Sequence, residues 1–212
     1  MPDFEFENKY SVPVVGIDEA GRGPWAGPVV AGAVIIKDKN LGEFLLSGLN
    51  DSKKLTAKKR DALYEALFVA KSEGKLAIGI GQASAAEIDE KNILQATFLA
   101  MNRAVAALDI SPRFALVDGN QVPKGLICPC QTVVKGDARC YSIAAASIAA
   151  KVYRDRLMAD LAKQYPYYGF EKNAGYGTAA HIAGLKKYGI IEGQHRKSYR
   201  PIQEILSVKT NV

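Results

Sequence analysis

A β-branched, apolar run over positions 12–17 leads straight into Asp18-Glu19, and no other feature constrains the fold of this chain as much. So short and apolar a run reads as a buried strand. Two adjacent carboxylates at its end are costly to desolvate unless something cationic faces them. A glycine-rich turn follows, Gly21-Arg22-Gly23-Pro24-Trp25-Ala26-Gly27, and then a second Val- and Ile-rich run over 28–36. The two runs are predicted to pair as a hairpin.

Further elements follow from periodicity and capping. Thr56 is placed to cap a helix to about Ser72, with Leu63, Ala66, Leu67 and Ala70 at helical spacing and Gly74 ending it. Positions 76–81 alternate like a strand. Ser84-Ala-Ala-Glu87 has the capping-box pattern. The helix after it, broken near Asn92, carries Leu94, Phe98, Met101, Val105 and Leu108 on one face. Short strands are predicted over 114–117, ending at Asp118, and over 132–134, ending near Asp137. A long Ala- and Ser-rich helix is predicted over 141–163, suited to close packing on a sheet, and a last clear one over 178–188. Strands first, then alternating helices and strands, imply an α/β fold with a mixed β-sheet. The expected organisation is a core over 1–164 and a small helical C-terminal subdomain over 165–212.

Composition narrows the class. The chain has 212 residues, 48% of them apolar and 24% charged, the balance of a globular domain. No apolar run approaches a membrane span, and the acidic N-terminus lacks the apolar segment of a secretory signal. A cytoplasmic protein with no membrane partner is expected. Lys and Arg number 28 against 22 Asp and Glu, a net charge of +6 that fits a nucleic-acid partner. Cys128, Cys130 and Cys140 are too few for a disulfide scaffold and too closely spaced for a zinc site, so they read as ordinary small residues.

Asp18, Glu19, Asp118 and Asp137 all stand at predicted strand ends, where α/β folds gather their sites. Crowded carboxylates repel one another unless protonated or bound to cations. Oxygen donors without His or Cys favour Mg²⁺ or Mn²⁺ over zinc, and a pair of such ions is the usual clamp for phosphoester cleavage. Asp118-Gly-Asn and Asp137 also fit ordinary turn starts. The glycines at 21, 23 and 27 miss the dinucleotide-binding spacing by one residue, and a strand rather than a helix follows them. They suit either a tight hairpin or a close backbone approach to a ligand, with Arg22 placed to meet a phosphate.

The stretch Gly16-Ile-Asp-Glu-Ala-Gly-Arg-Gly-Pro-Trp-Ala-Gly-Pro-Val-Val30 resembles the first signature of the type 2 ribonucleases H, the ribonuclease HII family. Further matches follow in order: Asn50-Asp-Ser-Lys-Lys-Leu55, Val117-Asp-Gly-Asn120, Lys135-Gly-Asp137, Ser142-Ile-Ala-Ala-Ala-Ser-Ile148 with Lys151, Gly175-Tyr-Gly-Thr178 and His195-Arg-Lys-Ser198. The resemblance implies a ribonuclease H-like mixed β-sheet flanked by helices. It implies an endonuclease that hydrolyses the RNA strand of RNA–DNA hybrids. It also implies incision of duplex DNA on the 5′ side of an embedded ribonucleotide, leaving 5′-phosphate and 3′-hydroxyl ends, as in ribonucleotide excision repair. Asp18, Glu19, Asp118 and Asp137 would be its catalytic, metal-binding acids, holding two Mg²⁺ or Mn²⁺ ions in the active complex. One ion would activate the attacking water and the other would stabilise the leaving 3′-oxygen.

By the same resemblance Gly21, Arg22 and Gly23 contact the 2′-hydroxyl. Tyr176 stacks on the deoxyribose after the ribonucleotide, and Lys53 lies near the scissile backbone. Its partners would be RNA–DNA hybrids and ribonucleotide-containing duplex DNA, bound by a monomer. The Gly-Arg-Gly turn and the short segment before the first strand fit type 2 rather than type 3 relatives, which carry Gly-Thr-Gly and an added N-terminal domain. The tail after Pro201 has Gln203 but no paired aromatics, which argues against sliding-clamp binding. Lys151, Arg154, Lys172, Lys186 and Lys187 are candidates to widen a duplex groove. Lys58, Lys59 and Arg60 read as a solvated face, His181 as a partly exposed helical residue, Trp25 as packing beneath the turn, and His195-Arg196 as capping or packing.

Two other classes remain open on residues alone. A different metal-dependent nuclease on the same fold would also use strand-end acids, but has no need of a 2′-hydroxyl reader. A non-catalytic nucleic-acid binder fits the net charge, yet carboxylates without metal would repel a phosphate backbone.

Overall fold

Val14–Ala20 (β1) lies at the centre of a mixed sheet, and its position accounts for its composition. The computed structural model describes residues 1–50, 52 and 55–209. In it, β1 pairs with Val29–Ile36 (β2) and Phe114–Asp118 (β4), while Leu76–Ala83 (β3) and Cys130–Val133 (β5) lie outside them, in the order β3-β2-β1-β4-β5. β1 and β2 are antiparallel, as are β2 and β3; β1–β4 and β4–β5 are parallel. A strand paired on both edges and covered on both faces needs apolar residues on both, and Val14 through Asp18 are all buried.

β1 extends three residues beyond the predicted strand. Its antiparallel partner continues opposite it, pairing Asp18 with Gly32, Glu19 with Ala31 and Ala20 with Val30. The two acids are therefore strand residues rather than residues after a strand, and successive strand residues point to opposite faces.

Eight helices are described: Glu43–Gly48 (α1), Ala57–Ser72 (α2), Ala85–Lys91 (α3), Ile93–Ala106 (α4), Tyr141–Gln164 (α5), Phe170–Asn173 (α6), Ala179–Tyr188 (α7) and Arg200–Lys209 (α8). Phe98, Met101 and Val105 of α4 cover one sheet face, against Val15, Ile17, Ala33 and Val117. α5 and α2 cover the other, where Ala145, Ile148 and Val152 meet Leu63, Leu67 and Val34. Close packing of α5 depends on two glycines. A methyl group at Gly16 would stand 2.2 Å from the Ser142 carbonyl carbon, and one at Gly32 would stand 2.4 Å from the Ala146 oxygen. The helix backbone thus rests directly on β1 and β2.

The expected caps are present. Thr56 accepts the Lys59 N–H, and Ser84 and Glu87 form the full capping box. Asn92 breaks the helix at a left-handed φ of 67° and accepts the N–H groups of Leu94 and Gln95, so one residue ends α3 and begins α4. Three helices were outside the sequence expectation, among them the four-residue α6. α1 has six residues and no side-chain cap, too short to show a period. α8 opens with Arg200-Pro201, and proline is tolerated in a first helical turn.

Beyond residue 165 only helices and turns are described, clustered on Met158 and Ala162 of α5 through Tyr168, Phe170, Leu185, Ile191 and Ile202. His181, expected to be partly exposed, is fully buried here together with His195. It shares the inward face of α7 with Leu185, four residues on. Burial holds both imidazoles below their ordinary range, His195 at about 4.

An unfolded histidine titrates near 6.5, so the unfolded chain binds these protons more tightly than the folded one. Stability from the pair is complete above pH ~6.5 and falls as pH drops towards 4, by at most about 1.4 kcal/mol per pH unit for each ring. Urea midpoints measured from pH 7 to pH 4 should show this loss, and His195→Asn should reduce the slope. Equal slopes for the two proteins would contradict the assignment.

Candidate active site

Asp18 and Asp118 stand side by side. The parallel register pairs Ile17 with Val117, so the next residues stand at the same level on adjacent strands, Asp118 at the end of β4 and Asp18 where β1 continues alongside β2. By alternation both belong to the sheet face under α5, as Gly16 and Leu116 do. Asp18 is buried and its carboxyl is held well above the ordinary range, first by burial, then by the charges of Glu19 and Asp118. A hydrogen bond from Ser147 of α5 acts in the opposite direction. Glu19 alternates to the other face, where it lines a cavity of about 80 Å³ with Arg22, Asp118, Asn120, Thr97 and Met101. Its carboxylate lies 3.6 Å from the Arg22 guanidinium.

Asp137 is buried in the turn Gly136–Ala138 after β5, one residue beyond Gly136, whose N–H donates to Asp118 Oδ1 at 2.7 Å. Asp18 Oδ1 likewise accepts the Glu19 N–H at 2.7 Å. Asp18, Glu19 and Asp118 are thus brought together directly, and Asp137 is joined to them through Gly136. With Asp18 and Asp118 each turning one oxygen onto a backbone N–H, no group of three or more acidic, His or Cys side chains among the described residues stands arranged as a metal cage.

The glycine turn is held from beneath by two fully buried arginines. Arg196 donates to the carbonyls of Gly21 (2.6 Å), Arg22 (2.9 Å) and Gly27 (2.9 and 3.0 Å). Arg154 donates to Pro28, Ala26 and Ala174 at 2.9–3.1 Å. Arg154 therefore does not widen a surface groove. It joins the turn to the loop that carries Tyr176. Gly21 is obligatory on two counts: its φ is 95°, and a methyl group there would stand 2.0 Å from Arg154 Nε. Because a trans peptide directs its C=O and the following N–H oppositely, the N–H groups of Arg22 and Gly23 face away from Arg196.

Tyr176 is half-exposed and lies over the turn; a methyl group at Gly23 would stand 3.3 Å from its Cε1. Trp25 packs beneath the tyrosine loop, where a side chain at Gly177 would overlap its indole. Lys53 lies outside the described residues. On either side of it, Arg60 donates to the carbonyls of Ser52 and Leu55, so Arg60 anchors this segment rather than joining a solvated face. Ser52, buried, meets Ser147 at 2.9 Å and so links the segment to Asp18. Lys151 is paired with Asp155 at 2.6 Å, while Lys172, Lys186 and Lys187 are exposed. Arg154, Arg196, Ser52 and Ser147 were not assigned to the site from sequence. The only signal available was that the last three fall within the family-like segments.

Comparison with known proteins settles the family, because the model for ribonuclease HII matches residues 15–201. The chain belongs to the ribonuclease HII family. It is 53% identical over 206 residues to the ribonuclease HII of Jannaschia sp. (strain CCS1), covering 97% of this chain and 98% of that one. The crystal structure of the ribonuclease H2 from Pyrococcus horikoshii OT3 superposes with a TM-score of 0.76 at 30% identity, covering 94% of this chain and 99% of that chain. Bst-RNase HIII, crystallised in complex with Mn²⁺, has a TM-score of 0.75 at 16% identity, over 95% of this chain and 71% of its own, which shows the shared fold. The mixed sheet with flanking helices is thus the ribonuclease H-type fold expected from the sequence, and no described helix is long and apolar enough to cross a membrane.

The donor set of this ribonuclease HII chain fits hard divalent cations. It is all oxygen, and burial, followed by the neighbouring charges of Glu19 and Asp118, disfavours the Asp18 carboxylate in a way that a cation would offset.

Arg196→Met would leave the carbonyls of Gly21 and Gly27 without these donors, while the Arg22 carbonyl keeps the Tyr199 hydroxyl. At ~1–3 kcal/mol for each unsatisfied buried group, the variant should lose about 2 kcal/mol or more in urea unfolding. Arg196→Lys, with a single point of charge in place of the planar fork, should recover only part. A loss below about 1 kcal/mol for the Met variant would overturn this role.

Proposed function

We propose that this chain is an endoribonuclease that hydrolyses the RNA strand of RNA–DNA hybrids. We further propose that it incises duplex DNA on the 5′ side of an embedded ribonucleotide, leaving 5′-phosphate and 3′-hydroxyl ends. One juxtaposition carries the reading: the cluster of Asp18, Glu19 and Asp118 lies at the start of a rigid glycine turn on which the Tyr176 ring rests.

Asp18, Glu19, Asp118 and Asp137 are the residues that would hold two Mg²⁺ or Mn²⁺ ions. Such ions supply an activated water and charge neutralisation at the phosphate and the leaving oxygen. The manganese complex of Bst-RNase HIII supports a divalent requirement on this fold. The chain's own residues bind and orient. The outward N–H groups of Arg22 and Gly23 offer donors to a 2′-hydroxyl, the group that separates RNA from DNA. Gly23 has no side chain to keep a sugar away, and the half-exposed Tyr176 ring offers an apolar face to the next deoxyribose. Arg22 and Lys53 would meet phosphate oxygens. The loop between α6 and α7 would complete the groove by carrying Tyr176.

The test is digestion of a labelled DNA duplex bearing one ribonucleotide, beside an all-DNA duplex and an RNA–DNA hybrid, with and without added Mg²⁺ or Mn²⁺. Incision only beside the ribose and only with metal is expected. Asp18→Asn and Asp118→Asn should each reduce turnover at least about 10³-fold, in the range lost with other groups that stabilise transition-state charge, while keeping the melting transition. Full turnover in either variant would exclude that acid. Tyr176→Ala should shift the enzyme from the single-ribonucleotide duplex towards the hybrid, and an unchanged ratio of the two rates would remove Tyr176 from substrate reading.

A further inference from the structure

His181 and His195 are buried polar groups that the proposed reaction does not use, and their protonation pattern can be read from the backbone. The N–H of Ile191, always a donor, points at His195 Nδ1 at 2.8 Å. That nitrogen must accept, so the proton of neutral His195 sits on Nε2. The 3.4 Å contact between the same Nδ1 and the Ile191 carbonyl then has no proton to share and is too long to compete. His195 Nε2 lies 3.0 Å from His181 Nε2, which must accept in turn. The proton of His181 therefore sits on Nδ1, 3.0 Å from the Tyr176 carbonyl, to which it donates. Burial disfavours charge on either ring. The result is a one-directional chain of three hydrogen bonds from the Ile191 backbone to the Tyr176 backbone.

The two ends of this chain belong to the two elements that meet at the substrate face. Residues 194–196 are bonded to the exit of the glycine turn: the Gly27 N–H donates to Gln194, the Arg196 N–H donates to Trp25, and His195 bridges Ala26. At the other end, Tyr176 sits between two glycines, and its carbonyl is held by His181 and by the Thr178 N–H. Trp25 and Phe170 pack on the His181 ring, with centroids 5.8 and 5.1 Å away, and allow it little room to turn.

We propose that His181 and His195 are positioning residues that set the placement of Tyr176 over the Gly21–Gly23 turn, and with it the preference for a ribose-to-deoxyribose junction; this rests on the substrate reading above. Catalysis is steep in such placement, a misplacement of about 1 Å costing up to about 10²-fold.

Two measurements test it. In a long-range ¹H–¹⁵N spectrum near neutral pH, the wild-type protein should show His195 with its proton on Nε2 and His181 with its proton on Nδ1. The opposite tautomers, or a charged ring, would overturn the proposal even if no variant folds. In kinetics, kcat and KM are measured separately on the single-ribonucleotide duplex and on the hybrid. His181→Leu should lower kcat/KM on the first substrate about tenfold more than on the second. His181→Asn, whose amide can donate where Nδ1 does, should return the ratio to within about threefold of wild type. A wild-type ratio in His181→Leu, alongside an altered one in Tyr176→Ala, would remove the positioning role alone. An unaltered ratio in both would remove the tyrosine reading and this proposal together.

Discussion

Two buried guanidinium groups, with no carboxylate in an ion pair with them among the described residues, organise the glycine turn of this protein. Arg154 and Arg196 direct their donors at backbone carbonyls of residues 21–28 and at Ala174. A buried charge is tolerated only when its donors are satisfied, and here the carbonyls of residues 21–28, with that of Ala174 and the Tyr199 hydroxyl, satisfy both. The turn in return is held at its carbonyls by these bonds. Removing the arginines would leave a glycine-rich segment with several accessible backbone states. The planar fork of arginine is what allows one side chain to hold several carbonyls at once.

That rigidity matters because the acids beside the turn are set by a different rule. Strand alternation places Asp18 under α5 and sends Glu19 to the opposite face, while Asp118, at the end of its strand, also lines the Glu19 cavity. Among the described residues the three share a charge environment without forming one oxygen cage, and burial followed by the charges of Glu19 and Asp118 raises the proton affinity of Asp18. An arrangement of this kind favours a cation arriving at the end of the sheet. The neighbouring turn and tyrosine, held by buried arginines and histidines, define where a nucleic-acid strand would lie relative to it.

Much of this was legible in the sequence. β-branched apolar runs located β1 and β2, alternation located β3, capping patterns located α2 and α3, helical spacing located α4, and small residues announced the close packing of α5. The acids were nominated because carboxylates directly after a buried strand are anomalous. What was missed shares one cause. Arg154 and His181 read as surface residues because their helices show polar residues at those positions, and only partners far away in the chain explain their burial. Arg154 bonds Ala26, 128 residues distant, and His181 meets His195, 14 residues on and around a turn. The end of β1 was placed short because an acidic residue looks like a strand terminus until the opposing strand is known to continue.

The sequence by itself determined the elements, the layered α/β class and the family, because these follow from local periodicity, capping and ordered motifs. Only the tertiary structure decided that the glycine turn rests on buried cations, that Glu19 parts from Asp18 across the sheet, and that Tyr176 is tied to the turn by a histidine pair. Those outcomes depend on which backbone carbonyls and ring nitrogens come within 3 Å after the chain has closed on itself, and no local pattern of residues encodes that distance.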